Sequence, residues 1–318
     1  MKVVLDSEVN RAFIAELRNS FPSVNFCQAP TEADRIREIP DAEVLFAAIT
    51  PAVFEAARKL RWCHFCGAGF DPLVRGNPKF VASDVVLTNA PGTHAIAMAD
   101  HVMAMILMFS HRMVDMLDDQ RAHRWDMRKY RAQITELHGT TMGILALGAI
   151  GRAVAVRAQA FGIRVYAVDL KSMEPPAGVA EVWTLEGLER LLEISEWFVV
   201  TAPLTDSTQG LLNRERIGQL KQGSHLIVIS RGGIVDERAV VERLKSGSIA
   251  GAGFDAMGTE PLCQDSPFWD MPNVLISPHV SGDSPQTWER RYRIFKDNLD
   301  RYLKGEPLLH ICDKRVGF

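Results

Sequence analysis

Three residues of different chemical type follow apolar runs in the second half of this 318-residue sequence. Arg231 follows the run 225–230, Glu260 comes shortly after the run 249–255, and His279 follows the run 274–277. Their types suit the reduction of a 2-oxo acid. A guanidinium anchors a carboxylate through two parallel N–H donors. An imidazole can hand a proton, near neutral pH, to a carbonyl oxygen that is gaining negative charge. A carboxylate beside that imidazole favours its charged form. The hydride itself would come from a nicotinamide cofactor.

A second constellation lies upstream. The stretch from Met142 to Gly151 is an apolar run entering a glycine turn, and it leads through a helical segment to Arg164-Val165-Tyr166-Ala167-Val168-Asp169. Strand, glycine turn, helix, strand, acid is the order that holds a dinucleotide, with the pyrophosphate on the exposed N–H groups of the helix start. Gly148, Ala149, Ile150 and Gly151 form that turn. Asp169, about 18 positions after Gly151, is placed to accept hydrogen bonds from the adenosine ribose. A carboxylate there repels a 2′-phosphate, so NAD is expected over NADP, although Lys171 nearby softens the preference. The pattern departs from G-x-G-x-x-G at its first place, which is Ala146, and an alanine there requires a negative φ.

These groups need elements to carry them, and the apolar periodicity supplies candidates. Short strands are expected at 2–5, 24–28, 44–47, 62–66 and 85–89, with helices around 9–17 and at 51–59 between them. After the glycine unit come helix 185–194, strand 197–201, helix 214–220, strand 225–230, helix 237–245 and strands 249–255 and 274–277. Strands alternating with helices imply parallel sheets with right-handed crossovers. A methionine-rich helix at 94–117 reads as buried, within the chain or against a second subunit. The polar, basic stretch 118–138 reads as a surface connection. The last helix, 286–303, sits apart from the cycle.

Composition narrows the class. An apolar fraction of 47% and a charged fraction of 24% are globular averages, and the length suits two domains. A net charge of −3 gives no reason to expect nucleic acid or an anionic membrane. The sequence shows no signal peptide and no apolar run long enough to span a bilayer, so a soluble, cytoplasmic protein is expected. Five cysteines, an odd number, suggest reduced thiols. Trp62-Cys63-His64-Phe65-Cys66 resembles a redox W-C-x-x-C, but on a strand residues three apart face opposite ways, too far apart for a disulfide. No histidine spacing suggests a metal site, and none is expected.

The residues around these groups identify a family resemblance. The segments are Gly67-Ala68-Gly69-Phe70-Asp71, Thr88-Asn89-Ala90-Pro91-Gly92, Gly143 to Asp169, Pro203 through Thr208 to Leu211, Ser230-Arg231-Gly232-Gly233-Ile234-Val235-Asp236, Gly253-Phe254-Asp255, Glu260-Pro261-Leu262 and Ser277-Pro278-His279-Val280-Ser281-Gly282. Over nearly its whole length the chain resembles the D-isomer-specific 2-hydroxyacid dehydrogenases, in particular members that reduce glyoxylate or hydroxypyruvate. The resemblance implies a Rossmann-type doubly wound domain, 94–285, for NAD, and a smaller flavodoxin-like α/β domain for substrate, made of 1–93 and 286–318. It implies Arg231, Glu260 and His279 as the catalytic triad, with Arg231 and His279 touching both substrate and cofactor. Backbone amides around Gly67, Ala68 and Gly69 would help bind the substrate carboxylate. Asp255 would hold the nicotinamide carboxamide, and Pro203, Thr208, Ser230 and Gly282 would line the cofactor. A homodimer through the helix near 94–117 is also implied.

Further expectations concern function. Pocket specificity is expected from Phe70, Leu73 and Met98. Two alternatives stand beside a dehydrogenase: a nucleotide-sensing partner protein of the corepressor type, and a phosphite dehydrogenase-like enzyme. Formate enzymes of this fold carry Gln where Glu260 stands, which argues against formate. The length leaves no room for the regulatory domain of many phosphoglycerate enzymes.

Overall fold

The computed structural model describes residues 1–6 and 9–315. The chain forms two α/β units, Met1–Thr93 with Ser284–Phe318, and His94–Asp283. Residues 7, 8 and 316–318 of the first unit, including the end of the span 286–318, lie outside the described residues.

The first unit holds strands β1 (Lys2–Leu5), β2 (Asn25–Gln28), β3 (Val44–Phe46), β4 (Trp62–His64) and β5 (Val86–Thr88). They pair in parallel in the order β2-β1-β3-β4-β5, the flavodoxin-like arrangement. Alternate side chains build two cores. Val3, Leu5, Val44, Phe46 and Trp62 pack on one face with Phe295 and Leu299 of the last helix, Pro285–Lys304. Val4, Leu45, Cys63 and Leu87 pack on the other. Cys63 therefore belongs to one core while Cys66 packs against the opposite one, and all five cysteines are free. The last helix is capped by Ser284, whose side chain accepts from Thr287 N, and it ends at Gly305 with φ 71°.

His64 is fully buried in this unit. The Thr88 hydroxyl lies 2.8 Å from His64 Nδ1 and 2.8 Å from Trp62 Nε1, while His64 Nε2 has no partner. Burial, with the nearby His310, pushes the imidazole pKa down from 6.5 to about 3. The unfolded chain therefore takes up a proton below about pH 6.5 that the folded chain refuses until about pH 3. Stability should be full above pH 6.5 and fall by about 1.4 kcal/mol per unit as the pH drops through that window. Denaturant unfolding at pH 7 and pH 4.5 measures this. His64→Phe should show a shallower acid slope, and equal slopes in the two proteins would refute the assignment.

The second unit holds β6 (Thr141–Leu145), β7 (Arg164–Val168), β8 (Glu181–Trp183), β9 (Trp197–Val200), β10 (His225–Val228), β11 (Gly251–Phe254) and β12 (Val274–Ile276), all parallel, in the order β12-β11-β10-β9-β6-β7-β8. The order reverses between β6 and β9, and in such sheets ligands bind beyond the strands' carboxyl ends at that switch point. Both faces are covered by apolar clusters, which explains strands that read as continuous apolar runs. Helix Glu237–Lys245 is capped by Asp236 and followed by Gly247 at φ 70°.

Two expectations need correction, and one strand was not foreseen. The helix foreseen at 94–117 is two helices, Ala95–Ser110 and Met113–Arg121, broken where Arg112 turns left-handed at φ 52°. The carbonyl of Ser110, released from the helix ladder, accepts instead from Thr135 N at 2.9 Å. The stretch 118–138 is not a plain connection. Buried Asp119 accepts from Arg124, Lys129 and Tyr130 and holds a short helix, Met127–Tyr130, in place. Strand β8 was not foreseen, because three residues at a sheet edge carry too little periodicity to be read locally.

Candidate active site

The carboxyl ends of six strands in the second unit carry nearly all the polar residues singled out in the sequence. The glycine turn after β6 opens helix Ala149–Ala160. Gly148 is its N-cap and offers no capping side chain, so the first-turn N–H groups have no cap partner. A Cβ on Gly148 would meet nothing within 4 Å, leaving the approach to those N–H groups open. A Cβ on Gly151 would sit 2.3 Å from the Ala146 carbonyl oxygen, so only glycine allows this helix to pack against the turn.

Ala146 overturns one expectation: its φ is +77°, not negative. The surrounding bonds impose this. Ala146 N donates to Val168 O at 2.8 Å, and its carbonyl accepts from Thr201 Oγ1 at 2.7 Å. Leu147 N donates to Asp169 Oδ2 at 2.7 Å. A left-handed alanine costs roughly 1–2 kcal/mol. Ala146→Gly should relieve that cost less the extra freedom of an unfolded glycine, a net gain of about 0.5–1 kcal/mol in denaturant unfolding. A lower stability in the glycine variant would contradict the strain argument.

Further along the sheet edge, Thr208 Oγ1 donates to Pro203 O at 2.6 Å and shapes the loop after β9. Ser230, after β10, is buried with its hydroxyl unpartnered, and Ser281 Oγ is likewise buried and unpartnered. Orphaned hydroxyls beyond the carboxyl ends of the strands, on the sheet edge that also carries the glycine turn, fit a bound dinucleotide. Gly282 packs against His94 and Met98.

Of the three residues expected to be catalytic, Glu260 and His279 are joined by a bond, and the loop of Arg231 lies against the segment that Glu260 ties down. Arg231 Nη1 donates to Ser230 O at 2.8 Å. A Cβ on the next residue, Gly232, would fall 2.0 Å from the Met257 carbonyl, so the Arg231 loop lies directly on the segment Ala256–Gly258. Met257 N donates to Glu260 Oε1 at 2.9 Å, and Glu260 Oε2 lies 2.8 Å from His279 Nδ1. A carboxylate at neutral pH only accepts, so the proton of that bond sits on His279 Nδ1. His279 Nε2 is thus the ring nitrogen outside this bond. His279 itself has φ 54°, a rare conformation for a residue with a side chain and one that clusters at functional sites.

Asp255 has a role that the sequence did not disclose. It is 1% exposed, and its Oδ1 accepts from Ser277 Oγ at 2.6 Å and Val280 N at 3.0 Å, while Oδ2 accepts from Ser281 N at 3.0 Å. Most of its capacity is spent on the turn that carries His279. Ser277 and Ser281 were missed as supports of that turn, and the signal for them was an aspartate that needs donors close by; Thr201, which holds the Ala146 carbonyl, carried no such signal. Phe70 and Leu73, expected in a substrate pocket, lie in a hydrophobic core of the first unit. Met98 lies in a core of the second. Gly67 and Ala68 form a loop in the first unit whose carbonyls accept from Ala90 N at 3.0 Å and Asn89 Nδ2 at 2.6 Å.

A family model for the NAD binding domain of the D-isomer specific 2-hydroxyacid dehydrogenases matches residues 103–281. The chain belongs to that family. A glyoxylate reductase of Korarchaeum cryptofilum is 32% identical over 297 residues, covering 90% of this chain and 87% of that one. D-3-phosphoglycerate dehydrogenases also match but are longer, and the chain spans only 57% of the one from Mycobacterium leprae. A solved family member from Aeromonas salmonicida superposes with a TM-score of 0.88 at 28% identity, covering 98% of each chain. An NADPH-dependent glyoxylate/hydroxypyruvate reductase from Sinorhizobium meliloti, solved with NADP and sulfate, superposes at 0.85 with 26% identity over 100% of this chain and 99% of that one. The protein is an oxidoreductase of CH–OH donors that uses a nicotinamide dinucleotide, NAD or NADP, as hydride carrier.

Proposed function

We propose that this dehydrogenase reduces a small 2-oxo acid of the glyoxylate or hydroxypyruvate type to the hydroxy acid, with NADH preferred. The observation that carries this reading is the Glu260–His279 pair, set on a left-handed turn at the carboxyl edge of the sheet that also bears the glycine turn. The nicotinamide supplies hydride when bound; the chain's residues do the rest. Arg231 anchors the substrate carboxylate, and His279 Nε2–H donates to the carbonyl oxygen as charge develops there. Glu260 holds the ring through Nδ1. Gly148, Ala149, Ile150 and Gly151 cradle the pyrophosphate, with Pro203, Thr208, Ser230, Asp255 and Gly282 along the cofactor. The loop Gly67, Ala68 and Gly69 offers backbone N–H groups to a carboxylate. In this reading 94–285 is the cofactor domain, and 1–93 with 286–318 is the substrate domain.

The preference for NADH rests on Asp169, whose carboxylate at the end of β7 would meet a 2′-phosphate with like charge. The deciding experiment follows NADH and NADPH oxidation by the purified chain with glyoxylate, hydroxypyruvate, pyruvate and phosphoglycerate-derived 2-oxo acids. Turnover of glyoxylate or hydroxypyruvate with a higher kcat/KM for NADH is the expected result. Binding of NADH without turnover of any of them would favour a nucleotide-sensing role instead.

A homodimer through 94–117 and the following arm is the assembly that best fits the surface. Trp125 is 92% exposed, and Met113, Leu117, Met127 and Ile134 of the same region are also exposed. So many large apolar groups on one short segment mark an interaction surface. Sedimentation should give twice the mass of one chain, and Trp125→Asp with Met127→Asp should return it to a single mass. No helix among the described residues is long and apolar enough to cross a membrane. The five free thiols suit the reducing cytoplasm.

A further inference from the structure

We propose that His101 and Ser277 are positioning residues for His279, acting through Asp255. The proposal rests on the reading of His279 as proton donor and adds two residues to the machinery that aims it. Helix Ala95–Ser110 brings His101 Nε2 to 2.9 Å from Ser277 Oγ. Ser277 Oγ lies 2.6 Å from Asp255 Oδ1. The direction of each bond follows from proton inventory. A carboxylate only accepts, so the serine proton points to Asp255. The serine oxygen must then accept from the histidine, which places a His101 proton on Nε2. Donors run one way, from His101 through Ser277 to Asp255.

What Asp255 does with this support is visible at its other contacts. It accepts the N–H groups of Val280 and Ser281, the two residues that directly follow His279. Those bonds hold the chain where His279 adopts φ 54°. The His279 side chain is 42% exposed, so its direction depends on the backbone beneath it and on the single bond to Glu260. The imidazole is aimed from two sides. Glu260 fixes the ring, and the relay His101–Ser277–Asp255 fixes the turn. Without the serine hydroxyl, Asp255 Oδ1 loses the shorter of its two bonds and the carboxylate can rotate away from Val280 N. A misplacement of about 1 Å at a proton donor is enough to cost on the order of 10²-fold in rate.

The test uses the full chain and four variants: Ser277→Ala, Ser277→Thr, His101→Leu and His101→Gln. Threonine keeps the hydroxyl, and glutamine keeps an N–H donor near the place of Nε2. Expected is a fall in kcat of about tenfold or more for Ser277→Ala and His101→Leu, in proteins that stay folded and with the fall in kcat exceeding any fall in NADH affinity. Ser277→Thr and His101→Gln should stay within about threefold of the parent. A kcat for Ser277→Ala equal to that of the parent overturns the proposal. So does an equal loss in Ser277→Ala and Ser277→Thr, which would show that packing and not the hydroxyl matters. If the parent turns over no 2-oxo acid, the functional reading has failed, and the relay is read separately from nitrogen-15 histidine spectra. The His279 ring signals, assigned by their loss in His279→Gln, should move in Ser277→Ala and return in Ser277→Thr. Signals that do not move overturn the relay on its own terms.

Discussion

Replacing His279 with alanine will lower kcat for 2-oxo acid reduction by about 10²–10⁴-fold while leaving NADH binding nearly unchanged. The expectation follows from what the ring alone can supply. Hydride addition to a carbonyl leaves an alkoxide unless a proton arrives with it. Of Arg231, Glu260 and His279, the imidazole is the group that has one ring nitrogen fixed by a partner and a second nitrogen outside that bond. Glu260 cannot take over directly, because a carboxylate only accepts and has no proton to give, and one of its oxygens is already held by Met257 N. Steady-state kinetics at saturating substrate, with NADH affinity read separately by fluorescence, separates the two effects. A His279→Ala enzyme with a kcat within threefold of the parent would show that the proton comes from elsewhere, and the mechanism would fall.

The second large effect concerns Arg231. Arg231→Ala should reduce kcat/KM for the 2-oxo acid by about 10²–10³-fold, mostly through KM. A charge-assisted, two-pronged contact to a carboxylate is among the stronger polar interactions a site can make. Its removal leaves the substrate's charge without its counter-ion. The main chain beneath Arg231 is held tightly, with Gly232 pressed on the Met257 carbonyl, so the guanidinium starts from a rigid base. Arg231→Lys keeps the charge but loses the planar fork, and should fall between the parent and the alanine variant. An alanine variant whose KM stays within twofold of the parent would remove Arg231 from carboxylate binding.

Much of the fold was legible because its signals are local. Parallel strands buried on both faces must be short apolar runs, and Val3-Val4-Leu5 and Leu226-Ile227-Val228 read as such without any knowledge of their neighbours. Helix limits were legible where a cap is a residue type, as at Asp236 before the helix 237–245. The break at Arg112 was not, because nothing in the local pattern opposes a continuous helix there. It exists because Ser110 O finds a distant donor in Thr135. Strand β8 likewise exists because β7 offers a free edge.

The chemistry divides along the same line. Residue types and order alone settled which groups are available: a guanidinium, a carboxylate and an imidazole after successive strands, and a glycine turn followed by an acid. Those facts are linear, and it was the longer segments around them, which resemble the D-isomer-specific 2-hydroxyacid dehydrogenases, that pointed to a dehydrogenase. Only the folded chain decided how the groups are aimed. The left-handed backbone at Ala146 and His279, and the expenditure of Asp255 on the turn beyond His279, arise from bonds between residues more than twenty positions apart. A dihedral angle imposed by such bonds has no local signature, because the residue that adopts it is not the residue that causes it.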